Sequence, residues 1–407
     1  MFPDPRTSAR GAFSVRSDPN RPDARRRAWL RGACGMLGMA AWPGAAGSAA
    51  QTPAGPAHAP QYGPIPGTNV ITTPAAPAAL VFHPQAPYAY VPARHANDII
   101  LYRTDPRDGR MLSFGSVSSE GRQPTFGASF DASGRMLYLP NAASNSIAQF
   151  AFEPATGGLR WVDTVDLSGI PGAGLYPYVI TLGPENIRAY VTMYRSSRVL
   201  VFEIEAETGR LDFRSMVETG PMPVGLFFDS EGHYAVVNNQ AANRLQLFEA
   251  QQGSGELSLV QNFEAPGLIE PFFAQPFPGR ELFYALAGGV NAIFQLRLRV
   301  DAGHARLEQC AAPVPTGVMP NTFLALSEDK AHAFEANYQS NDVSMYRVDA
   351  CGVLSPLSPP SVATGPGPIQ IKAMPGTDLF YSLDYLSNTI RAYRLGRDGQ
   401  LLPERFE

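Results

Sequence analysis

The chain has 407 residues, 44% of them hydrophobic and 17% charged, which is the composition of a folded protein of two or three ordinary domains or one large repeat assembly. No run reaches the ~18 apolar residues that a membrane-spanning helix needs, so the sequence gives no reason to expect a membrane partner. The formal charge is −4, but residues 1–31 hold eight Arg and three Asp; the remainder carries −9 with no basic run, which removes the electrostatic basis for binding nucleic acid or an anionic membrane.

Residues 1–50 read as an N-terminal extension and export signal. Arg25-Arg26-Arg27-Ala28-Trp29-Leu30-Arg31 precedes a soft, Gly/Ala-rich apolar stretch from Gly32 to Ala46, and Ser48-Ala49-Ala50 offers a small-residue cleavage site. The Arg26-Arg27 pair resembles the twin-arginine form of that signal, which implies a periplasmic or secreted protein; the alternative is a disordered basic tail. Cys34, three residues after Arg31, is badly placed for lipid attachment. Residues 51–68 are rich in Pro and Gly and uncharged, and are expected to form a tether.

From residue 69 onward one pattern recurs. NDIILYRTDPRDGRM begins at Asn97, and related units begin at Asn145, Ser197, Asn243, Asn291, Asn341 and Asn388. Five residues into each stands an aromatic or Leu: Tyr102, Phe150, Phe202, Phe248, Leu296, Tyr346 and Tyr393. An independent column of prolines keeps the same register: Pro77, Pro124, Pro177, Pro223, Pro271, Pro320 and Pro368. Repetition at this period marks a solenoid or propeller. Alternation of period two, β-branched and aromatic enrichment, and frequent Gly/Asn/Asp turns predict four strands per repeat. The expected fold is therefore all-β, a seven-bladed β-propeller of four-stranded blades over residues 69–407. The last repeat lacks a clear fourth strand, and Asn69-Val70-Ile71-Thr72-Thr73 is expected to complete it. The Asn column reads as turn residues whose side chains bond to backbone, and Pro suits the first position of a strand.

A single Trp beyond the signal, Trp161, and the lack of a recurrent Gly pair disfavour WD40 and kelch blades. Units such as YLPNAASNSIAQFAFEPATGGL and AYVTMYRSSRVLVFEIEAETGRL resemble the lactonase family of seven-bladed propellers, which includes 6-phosphogluconolactonases, carboxymuconate-cyclising enzymes and the related YVTN repeats. The resemblance covers roughly residues 69–403 and implies chemistry at the propeller mouth, carried by a His after one strand-start Pro and a Glu and an Arg after second strands. Here the residues after the prolines are Ala78, Thr125, Tyr178, Val224, Phe272, Asn321 and Ile369. The second-strand column reads Arg94, Ala142, Tyr194, Gln240, Gly288, Tyr338 and Tyr385. The His and the Glu are missing. The sequence thus favours a platform binding a small anionic molecule or a partner protein at the mouth, with a lactone hydrolase or cycloisomerase built around His95, Arg94 and Arg195 as the alternative.

The register places Arg94, His95, Tyr194, Arg195, Gln240, Asn321, Tyr338 and Tyr385 on that mouth as ligand-binding candidates. Arginines can fork onto a carboxylate or phosphate, and histidine can exchange a proton near neutral pH. The column Ala93, Asn141, Met193, Asn239, Ala287, Asn337 and Asp384 offers oxygens of the kind Ca²⁺ prefers, but with one charged member it reads better as loop hydrogen bonding. No phosphate loop, HExxH or GxSxG motif occurs, so neither cofactor nor metal centre is expected. Cys310 and Cys351 are placed near neighbouring outer rims, where a bridge requires Cα atoms within about 7 Å. A monomer is expected.

Overall fold

The computed structural model describes residues 62–407. The expected N-terminal extension and export signal and residues 51–61 of the expected tether lie outside the described residues.

The described chain is a ring of seven antiparallel sheets, each with its strands in sequential order from the axis outward. Blade I comprises Val81–Phe82, Tyr88–Ala93, Asp98–Thr104 and Met111–Ser118; blade II comprises Ser129–Phe130, Met136–Asn141, Ser146–Glu153 and Gly158–Asp166. Blades III to VI begin at Pro177, Pro223, Pro271 and Ala325 and end at Glu218, Phe263, Pro315 and Ala363. Blade VII contains Pro368–Ala373, Leu379–Asp384 and Thr389–Leu395. Its outer edge is shared. Val70–Thr72 pairs with Thr389–Arg391, while Leu401–Pro403 pairs with Tyr393–Leu395. The last repeat therefore does supply a short outer strand, and the N-terminal strand completes the half that it leaves open.

Residues 62–68, expected within the tether, are also fastened down. Tyr62 N–H donates to Ser113 Oγ (2.8 Å), its carbonyl accepts from Ser113 N–H, and Gly67 N–H donates to the Phe406 carbonyl (2.7 Å) while Phe406 N–H donates to the Thr68 carbonyl. Proline removes donors from this stretch, but its carbonyls and the non-proline amides still find partners.

The repeated residues now have physical reasons. All seven aromatic or Leu anchors are buried at 1% exposure or less and fill the space between blades; each contributes about 1.5–3 kcal/mol by burial. Tyrosines of the second strands reach across to a hairpin glycine of the next blade. Tyr90, Tyr138, Tyr190, Tyr284 and Tyr381 donate to the carbonyls of Gly157, Gly209, Gly255, Gly352 and Gly109. Each such glycine has φ between +72° and +84°, a region that glycine occupies without penalty.

On the opposite face the Asn column does equivalent work. Asn97, Asn145, Ser197, Asn243, Asn291, Asn341 and Asn388 all adopt φ of +50° to +59°. Six of them offer a side-chain oxygen to the amide just before the next blade's proline: Gln123, Tyr176, Glu270, Met319, Gly367 and, closing the ring, Ala76. The pre-proline residues are themselves left-handed, at φ +51° to +72°, although a following proline favours extended backbone. On its carbonyl each accepts the N–H of Arg94, Ala142, Tyr194, Gln240, Gly288, Tyr338 or Tyr385, and all but Met222 are also held by the asparagine on their N–H.

Cys310 and Cys351 are free and exposed, and Cys310 Sγ donates to the Gln295 carbonyl (3.3 Å). No disulfide joins the two rims.

Candidate functional site

The mouth is the face where the pre-proline residues and the second-to-third strand loops meet. Seven backbone pairs, one per blade, set the positions of its side chains. Blade III supplies the densest set. Tyr176 and Tyr178 flank Pro177 and Tyr194 ends the second strand; the Tyr178 and Tyr194 rings stack at 4.8 Å, with Tyr176 6.0 Å from Tyr194. Phe126 meets Tyr178 edge-on at 4.6 Å. The Tyr194 hydroxyl donates to Gln240 Oε1 in blade IV (3.0 Å), which orients that buried amide.

Both candidate arginines converge on Tyr176. Arg94 Nη2 donates to its hydroxyl (2.8 Å), and the Arg195 guanidinium lies 4.6 Å from its ring centroid. Arg94 stands in blade I and reaches past blade II, where its counterpart is the small Ala142. This reach buries it to 4% exposure. Arginine at a loop is ordinarily exposed and solvated; here a small neighbour and a tyrosine acceptor bury it. Arg195 is exposed.

The arc continues through blades VII and VI. Burial pushes the Tyr385 phenol above its ordinary range, and Arg94 opposes that shift while Tyr176 adds to it. Burial also raises Tyr338, with a contribution from Tyr385. Tyr385 therefore lies within electrostatic reach of Arg94, Tyr176 and Tyr338. Asn321 is half-buried one residue inside the rim of blade VI, and its Oδ1 has no hydrogen-bond partner among the described residues. His95 is exposed beside Arg94, and among the described residues no contact ties it to the arc.

The oxygen-rich column serves the loops. Asn141 Nδ2 donates to the Ser119 carbonyl, Asn239 to Gln246 Oε1, and Asn337 to Asp342 Oδ1 and Ser344 Oγ. These side chains press on the connections between blades, and a Cβ on Gly220 or Gly317 would collide with Asn239 or Asn337. Asp384 accepts from Gly365 N–H and Ser382 Oγ and pairs with Arg391 (3.2 Å); burial raises its carboxyl to about 6 against those three partners. No group of three His, Cys, Asp or Glu suited to a metal occurs among the described residues.

Tyr176 and Tyr178 were not among the sequence candidates. Their signal was present in GLYPYV, where aromatics stand on both sides of a strand-start proline. Glu335 is a second omission. It is fully buried on the second strand of blade VI, where blades I to V carry Val91, Leu139, Val191, Val237 and Ala285. Burial raises its carboxyl to about 8, opposed by the Thr322 and Asn321 amides. His83 is a packing residue: its Nε2 meets the Gly134 carbonyl, Nδ1 accepts from Gln85 and Ala86, and burial lowers its pKa. A cavity of about 350 Å³ near Asp229, Glu231, His233 and Glu249 opens by the first-to-second strand turn of blade IV, away from the mouth.

Comparison with known proteins agrees with this architecture. The family described as lactonase, 7-bladed beta-propeller, matches residues 57–172 and 179–270, just over half of the chain. A 6-phosphogluconolactonase of Bacillus subtilis is 26% identical over 167 residues, 40% of this chain and 46% of that enzyme; a second, from Enterobacter, matches over 57% of its own length, so the chain spans about half of each. A Pectobacterium carotovorum 6-phosphogluconolactonase is 23% identical over 306 residues, 72% of this chain and 88% of that one. Among solved structures, the periplasmic gluconolactonase of Pseudomonas aeruginosa superposes with a TM-score of 0.60 at 20% identity, covering 72% of this chain and 86% of that one. Hydrazine synthase of Kuenenia stuttgartiensis superposes equally well, with a TM-score of 0.60 at 15% identity over 78% and 95%, so these likenesses speak for the fold alone. With seven blades in register and the family match running through blades I to IV, the chain belongs to the lactonase family of seven-bladed β-propellers.

Proposed function

We propose that the mouth binds a small hydroxylated anion of the sugar-acid type, with Arg94 and Arg195 taking its negative charge and the tyrosines forming the walls. The observation that carries this reading is the convergence of two guanidinium groups on Tyr176, from two different blades, on the face where the rim is most aromatic. Guanidinium recognises carboxylate or phosphate in a fork, while phenols and amides hydrogen-bond hydroxyls. Asn321 and Gln240 supply the amides. Calorimetric titration with gluconate and 6-phosphogluconate tests it: Arg195→Ala should weaken binding of the preferred anion at least tenfold. Unchanged affinity in that variant would refute the assignment.

The second reading is turnover. Its support is the family itself and three relatives described as 6-phosphogluconolactonases. On this reading Arg94 and Arg195 hold a lactone and His95, exposed on the rim next to Arg94, acts as general base toward water. Lactone hydrolysis by the purified protein, lost in His95→Gln while anion binding persists, would establish it. The chain is further proposed to be an exported monomer, from the charge and apolar pattern of residues 25–50; replacing Arg26 and Arg27 with Lys should hold it in the cytoplasm if the twin-arginine route is used.

A further inference from the structure

The sequence contains two lysines, Lys330 and Lys372, among 32 basic residues. Lys330 is exposed on a turn. Lys372 is on the innermost strand of blade VII, four residues past Pro368. Its ammonium lies 5.0 Å from the centroid of the Phe323 ring in blade VI. Phe323 in turn stacks on Phe273 of blade V at 4.4 Å, and Phe227 of blade IV meets both edge-on at 5.5 and 5.8 Å. Four consecutive blades thus contribute a run of three rings and one cation along the axis.

This level is partly open. Thr181, Phe227, Gln275 and Lys372, each four residues past its proline, all retain exposure, although most residues between them and the rim are buried. Among the described residues no carboxylate pairs with Lys372, and burial lowers its pKa with no neighbouring charge contributing. A ring face stabilises an ammonium, but only partly replaces a counter-ion. Away from bulk water, an anion brought to that ammonium gains more than it would in water.

We propose that the axial channel contains a second binding site, distinct from the mouth, in which Lys372 takes the carboxylate of a small aryl carboxylate whose ring packs against Phe227 and Phe323, the latter backed by the buried Phe273. The site stands on its own residues and does not require the mouth to bind anything. Charge and shape both select this class: a cation without a carboxylate partner stands over the Phe323 ring, while the Thr181 hydroxyl and the Gln275 amide at the same level already donate to the Leu226 and Leu324 carbonyls.

Benzoate is the probe. Reductive ¹³C-methylation of the full-length protein labels two lysines and the N-terminus, with the Lys372 signal assigned by its loss in Lys372→Met. Sodium benzoate should move the Lys372 signal saturably and raise its titration midpoint, because the bound anion favours the protonated form. The Lys330 signal should stay in place. In parallel, calorimetry on unlabelled protein should show benzoate binding weakened at least tenfold in Lys372→Met and severalfold in Phe323→Leu. Arg195→Ala should bind benzoate normally, which separates failure of this site from failure of the mouth. A shift reproduced by equal chloride, an adventitious ion only, would overturn the proposal. So would a linear non-saturating response, equal movement of Lys330, or undiminished calorimetric binding by Lys372→Met.

Discussion

Arg94 and Arg195 look alike in the sequence and differ in what they hold. Removing Arg195 exposes one face of Tyr176 at the surface, and Arg195→Ala should change stability by no more than ~0.5 kcal/mol. Arg94 is buried and donates to the Tyr176 hydroxyl; Arg94→Ala should cost about 1–3 kcal/mol, because it leaves a cavity and a less satisfied buried phenol. Chemical denaturation of the two variants separates them, and equal losses would mean that Arg94 is not anchored as described. Glu335 gives a sharper test. Burial pushes its carboxyl up to about 8, well above the ordinary 4.5 of an exposed glutamate. The native state therefore keeps a proton that the unfolded chain releases, and this site lowers stability as pH rises from about 4.5 through 8. Glu335→Gln removes that loss. Its melting temperature should exceed that of the parent at pH 8.5 and differ little at pH 4.5; the same difference at both values would contradict the assignment.

Strands and their register were legible because hydrophobic alternation and turn residues repeat seven times, and a repeat averages out any one blade's exceptions. The columns of Asn and Pro could be listed from the sequence, but their connection could not, since each asparagine bonds to a backbone amide in the next blade. That amide leaves no residue-type signature: the pre-proline position is Ala, Gln, Tyr, Met, Glu, Met or Gly. The site was legible in part for the same reason. Column positions put Tyr194, Gln240 and Tyr385 on the rim, whereas the long reach of Arg94 to Tyr176 depends on the small Ala142 in the blade between them. The staple can be measured. Asn145 Nδ2 donates to the Gly174 carbonyl while its Oδ1 accepts from Tyr176 N–H, and its φ of +52° suits Asn far better than Ala. Asn145→Ala should cost about 1–3 kcal/mol and Asn145→Gly less, because glycine restores the backbone freedom but not the bonds. Equal losses in urea unfolding would show that the side-chain bonds alone matter.

At the scale of the whole ring, the joint between the two ends of the described chain involves several small contacts. Val70–Thr72 and Leu401–Pro403 share one edge, Asn388 caps Ala76, and Tyr381 reaches Gly109. Removing residues 1–61 should leave the melting temperature unchanged. Removing residues 1–74 strips the inner half of that edge and exposes unpaired strand groups, a template for aggregation; light scattering on the two truncations distinguishes them, and equal behaviour would place the joint elsewhere. The asparagine and tyrosine bonds run in the same sense around the molecule, so that every blade grips its successor on at least one face, and blades I, II, V and VII on both. Such a hoop has no privileged starting point. The chain could therefore be reopened at an exposed turn such as Ala302-Gly303, with residues 407 and 62 joined by a short linker, and the permuted protein should still close into seven blades.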